Sequence, residues 1–157
     1  METSGDQLGP ILLRTSETSC SSALSLTASL LQAFPRHQGL RRTVINLSSL
    51  CAQQAFPSWF LYCTGKAARD MMFRVLAEKP DAKVLNYSPG PLDTDMQAQA
   101  RCSSGDVELR RSLCSMFRRG QLMSCQESGA KLTRLLLDVD FPTGAHVDYW
   151  RVTCLFS

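Results

Sequence analysis

The run Thr43-Val44-Ile45-Asn46-Leu47-Ser48-Ser49, with Tyr62 and Lys66 downstream, decides how this chain folds. Thr43 to Leu47 is short, apolar and β-branched, which predicts a buried strand ending on two serines. Ser48 to Phe60 contains Pro57 and predicts an irregular segment. A helix is expected from about Leu61 to Glu78, stopped by Pro80. Lys83 to Tyr87 repeats the strand pattern and runs into the loop Pro89-Gly90-Pro91. Upstream, Ala23, Leu24, Leu26, Leu30, Leu31 and Phe34 recur at helical spacing until Pro35. Downstream, Asp93 to Cys102 predicts a loop with helical turns, and helices are expected over Val107–Arg119 and Gln126–Leu137. Gly144 to Tyr149 is a last strand. This alternation predicts an α/β fold, a parallel sheet with helices on both faces. Ligand sites in such sheets lie beyond the carboxyl ends of the strands. Here those ends are Ser48-Ser49, Ser88-Pro89-Gly90 and Asp148.

Composition narrows the function classes. The chain has 157 residues, 44% hydrophobic and 20% charged, which fits one globular domain. A net charge of +3, with arginine pairs scattered, does not point to nucleic acid. The seven cysteines form no Cys-x-x-Cys pair and the only two histidines are far apart, so no metal site is expected. Free thiols fit a reducing compartment. Met1 to Pro10 has no signal-peptide pattern, and no apolar run approaches the roughly 18 residues of a membrane span. The expected location is cytoplasmic.

Tyr62 and Lys66 are four apart on the predicted helix and share a face. A fixed ammonium near a phenol favours the phenolate, so the tyrosine could exchange a proton near neutral pH. Ser49, at the preceding strand end, could donate to the same substrate oxygen and stabilise charge developing there. Tyr-x-x-x-Lys alone is a common surface pair; its place after a strand ending Asn46-Leu47-Ser48-Ser49, and before a strand followed by Pro89-Gly90, gives it weight.

That combination resembles the short-chain dehydrogenase/reductase family over about residues 22 to 149. The resemblance is strongest in Asn46 to Cys51, Tyr62 to Met71, Leu85 to Met96 and Gly144 to Asp148, and there it is similar to a pterin-reducing branch. It implies an NADP(H)-dependent reductase in which Tyr62 gives the proton. Lys66 would tune Tyr62 and bind the nicotinamide ribose, and Ser49 would orient the carbonyl beside Leu50. Gly90 would touch substrate through its backbone. Leu92, Asp93, Thr94, Asp95, Met96 and Gln97 would form the loop over the cofactor. Asp148 would anchor a pterin ring, since a carboxylate accepts two parallel N–H bonds. Simpler roles stay open: a solvated strand-end acid for Asp148, and a helix cap for Thr94 and Asp95.

The resemblance also has gaps. Family members bind the pyrophosphate on a Thr-Gly-x-x-x-Gly-x-Gly turn. Gly5 and Gly9 have the first spacing, but Ile11 stands where the third glycine belongs. The expectation is therefore a doubly wound, Rossmann-like sheet without its first βαβ half. Residues 1–20 read as a weakly ordered leader, 21–149 as the catalytic half, and 150–157 as a divergent tail in place of a short polar end. Ser25 falls where the family has a relay asparagine. Two functions stay open: reduction of pterin side-chain carbonyls in tetrahydrobiopterin synthesis, or a catalytically silent, truncated form that partners the complete enzyme. A homodimer through the Tyr62 helix is the expected assembly. Arg101-Cys102-Ser103-Ser104 also fits a kinase site, a motif common by chance.

Overall fold

The computed structural model describes residues 8–39, 41–80 and 82–155. Its elements are α1 (Leu8–Ala33), β1 (Thr43–Leu47), a 3-10 turn (Leu50–Ala52), α2 (Phe60–Ala77) and β2 (Lys83–Ser88), then α3 (Asp95–Ser103), α4 (Val107–Arg118), α5 (Cys125–Asp138), β3 (Ala145–Asp148) and α6 (Tyr149–Leu155). The three strands form one parallel sheet in the order β1-β2-β3. Leu47, Tyr87 and Val147 lie in one row, and Ser88 pairs with Asp148 in the next. All three carboxyl ends therefore share one edge.

Central β2 shows why a parallel strand reads as a continuous apolar run: Val84 to Ser88 are all buried. Leu85 and Tyr87 pack with Leu135 of α5, Phe141, Val147 and Val152 of α6 as the core, and Ile45 joins its margin. Asn46 and Asn86 point to the opposite face, where α2 supplies Asp70 and Phe73. Helix α1 packs on α2, and Cys20 Sγ meets the Gly65 carbonyl across that contact at 3.9 Å.

Caps set the helix starts. Ser124 and Glu127 form a reciprocal capping box on α5, and Asp106 accepts from the Glu108 and Leu109 amides at the start of α4. The chain from Leu92 to Met123 makes an excursion whose ends meet: Leu92 bridges Met123 in parallel, Asp93 N donates to the Met123 carbonyl, and Met123 N donates to that of Pro91, both at 2.9 Å. Helices α3 and α4 pack on each other within it. At its far turn, the Ser58 hydroxyl donates to Asp106.

Two expectations need correction. The supposed leader is helical from Leu8 onward, while 1–7 lie outside the described residues. Proline is tolerated in a first helical turn, and after Pro10 no glycine or proline interrupts the chain until Pro35. Gly9 is inside this helix rather than in a phosphate turn; Gly5 is outside the described residues. Asp95–Ser103 is a helix rather than a loop with turns, because Thr94 caps it by accepting from Gln97 N. The divergent tail carries most of α6, which buries Val152 completely in the core.

Candidate active site

Ser49 leaves β1 in an extended conformation and caps the 3-10 turn, its Oγ accepting from Cys51 N at 3.2 Å. Tyr62 sits in the first turn of α2, its ring edge-on to Trp59 with centroids 4.9 Å apart. Lys66 follows one turn later, its ammonium 5.7 Å from the Tyr62 ring centroid. The structure thus brings together the three residues singled out from the sequence.

The electrostatics differ from the sequence argument, which has Lys66 lowering the phenol. Burial pushes the Tyr62 phenol up, and a hydrogen bond to Ser49 only partly offsets this. The Lys66 ammonium is directed to backbone: it donates to the carbonyls of Leu47 at 2.9 Å and Ser48 at 3.4 Å. Burial, then the charge of Arg69, pull Lys66 down, while Asp70 acts in the opposite direction. An ammonium has three donors; with two engaged on carbonyls, one remains for a ligand such as a ribose hydroxyl.

Gly90 turns the chain after β2 with φ +81, a region that disfavours side chains. A Cβ there would meet the end of the Met123 side chain and lie 3.4 Å from Tyr149 Cβ, so a side chain at this position would add crowding to the strain of the positive φ. Asp148 ends β3 and caps α6, its Oδ1 accepting from Trp150 N at 2.9 Å and Arg151 N at 3.0 Å. By register, Ser48, Ser88 and Asp148 form one row, so Ser48 and Asp148 stand two strand spacings, roughly 10 Å, apart.

In the loop after β2, the Asp93 and Gln97 amides are used within the chain, and Asp93 lies 3.8 Å from Arg101. Gln97 is buried, whereas Met96 is exposed. Asp95 puts a negative charge in the first turn of α3, which disfavours a phosphate there. The residues present fit the ribose–nicotinamide end of a dinucleotide better than its phosphates. Leu50 is half-buried in the 3-10 turn, Ser104 is half-buried at the end of α3, and Ser25 is exposed on α1.

One constellation is absent from the sequence reading. Buried Asp70 accepts from Asn46 (3.3 Å), Gln53 (3.1 Å) and the Ser48 hydroxyl, and pairs with His146 Nδ1 at 2.5 Å. His146 Nε2 is in turn 2.7 Å from Ser88 Oγ. Asp70 lies four residues beyond Lys66, a spacing that places both on one helix face and could have flagged it.

Matching against family models gives "short chain dehydrogenase" over residues 12–104. The chain belongs to the short chain dehydrogenase family. Among curated relatives it is 56% identical to the sepiapterin reductase of Bos taurus over 82% of this chain and 49% of that protein. It is 53% identical to that of Xenopus tropicalis over 83% and 50%. A crystal structure of a short chain dehydrogenase/reductase from Saccharomyces cerevisiae superposes with a TM-score of 0.61 at 27% identity, covering 68% of this chain and 45% of that one. The chain thus spans about half the length of the short chain dehydrogenases it matches. Members of this family are oxidoreductases that use nicotinamide cofactors. No helix among the described residues is long and apolar enough to cross a membrane.

Proposed function

We propose that the site serves NADPH-dependent reduction of a pterin side-chain carbonyl. The observation that carries this reading is the Ser49–Tyr62–Lys66 cluster at the same sheet edge as Asp148, in a chain 56% identical to a sepiapterin reductase. The cofactor, when bound, supplies the hydride. Ser49 and Tyr62 hold the carbonyl oxygen, and Tyr62 delivers the proton to it. Burial keeps the Tyr62 phenol in the protonated form from which a donor starts, and hydrogen bonding from Ser49 works against the weakening of its acidity that burial brings. Lys66 binds ribose with its remaining donor and, held by the Leu47 and Ser48 carbonyls, keeps positive charge near the phenol. Asp148, two strand spacings or roughly 10 Å from Ser48, accepts from the amino group and ring N–H of a bicyclic pterin.

A second reading has one observation behind it: the 157 residues contain no Thr-Gly-x-x-x-Gly-x-Gly turn. On that reading the chain keeps the substrate side of the site without turning over, and partners a complete copy of the enzyme. One experiment separates the two. NADPH is titrated into the purified chain by fluorescence, and sepiapterin reduction is then assayed with the chain and with Tyr62→Phe. Binding and turnover abolished by Tyr62→Phe support the reductase; no NADPH binding removes that activity for this chain and leaves the silent form.

A further inference from the structure

Asp70, His146 and Ser88 reproduce the order of a nucleophilic triad, but not its use. Ser88 is 2% exposed, so its hydroxyl has no route to a substrate. We propose instead that Asp70, clamped by His146 and Ser88, is a positioning residue for the Ser48-Ser49 turn and for the Lys66 ammonium.

The contacts run in one direction. Ser88 on β2 holds His146 on β3, and His146 fixes Oδ2 of Asp70 on α2. Oδ1 then accepts from Asn46 on β1 and from Ser48 just beyond its end. The carboxylate on α2 thus ties β1 to β3 directly, and to β2 through His146. Ser48 is the residue whose carbonyl takes one Lys66 donor, and its neighbour Ser49 meets the Tyr62 phenol. A shift of Asp70 would therefore move both partners of Tyr62.

Charge makes the same link. Lys66 and Arg69 place two cations within one turn of α2, and Asp70 is the adjacent anion. Burial alone would raise its carboxyl, but hydrogen bonds from His146, Ser48 and Gln53 outweigh it and hold Asp70 below the usual range. The carboxylate is thus available to keep Lys66 protonated against burial. The titratable groups facing this cluster are Cys51 from the 3-10 turn, Tyr62, Lys66 and Arg69 from α2, and His146 from β3.

This role rests on the proton-handling assignment of Tyr62 and Lys66. Its test reads the groups themselves, without cofactor, so it can fail while the reductase reading stands, and the reverse. With two histidines and four lysines, labelled side chains are assignable by nuclear magnetic resonance. In the unmodified chain His146 is expected to carry its proton on Nδ1, with Nε2 accepting from Ser88; the opposite tautomer overturns the clamp. In Asp70→Asn, with folding checked by circular dichroism, the acid dissociation constant of Lys66 is expected to rise roughly tenfold. Asp70→Glu is expected to recover part of the change. A folded Asp70→Asn chain with an unmoved Lys66 overturns the proposal. Should Asp70→Asn not fold, the unmodified chain decides. The Lys66 Nζ resonance should then follow the acid titration of the Asp70 carboxyl, and a flat resonance overturns the role.

Discussion

Ser49 does two jobs within one turn: it caps the 3-10 segment through Cys51 N and meets the Tyr62 phenol. Because that hydrogen bond opposes the effect of burial, Ser49→Ala is expected to raise the Tyr62 titration further, read with ring-labelled tyrosine. Asp70 gives a pH prediction of definite sign. Its folded carboxyl titrates below the ordinary 3.8, so its contribution to stability is complete above that value. The contribution is lost as pH falls through the lower folded value. Surface Asp106, Glu127 and Asp140 are lowered too, so the acid limb has several sources. Urea midpoints measured from pH 5 to 2 should therefore fall less steeply in Asp70→Asn than in the unmodified chain. At this scale the sequence was informative where the chemistry was local. Ser49, Tyr62 and Lys66 fall on a strand end and the next helix, and spacing alone brings them near. Asp70 and His146 are 76 residues apart, and only the sheet register joins them. The direction of the Tyr62 shift was not legible, since burial is a property of the folded site.

Element boundaries follow their caps. The box Ser124-Cys125-Gln126-Glu127 supplies both reciprocal hydrogen bonds at the start of α5, so Ser124→Ala is expected to cost about 1 kcal/mol in urea unfolding. The strands were read almost to the residue because short apolar runs bounded by polar turns leave few alternatives. Helix α3 was harder: residues 95–103 carry little apolar periodicity, and the Thr94 cap with the buried Gln97 and Arg101 contacts defines it instead. Helix α1 was read short because residues 8–20 look polar, while Pro10 falls in the first turn, where it is tolerated, and no glycine or proline follows until Pro35. In α6 the burial of Val152 was invisible, since a single valine in a short tail has no period.

The three-stranded sheet has β1 at one edge, with Leu47 55% exposed, and Leu26 and Leu30 of α1 are exposed together with Phe34 just past its end. A chain spanning about half of its relatives' length and showing such surface is expected to self-associate as concentration rises. Sedimentation velocity checks this, and the double variant Leu26→Glu, Phe34→Glu should shift the chain toward monomer. The Leu92–Met123 bridge has a consequence of another kind. Pinning both ends of the excursion makes it a closed loop of backbone whose internal melting need not disturb the strands. Deuterium uptake should then show the α3 and α4 amides opening together as one low-energy unit, well before those of β2. The Asp93 and Met123 amides at the neck should be the slowest of that unit, behaving as its hinge pin.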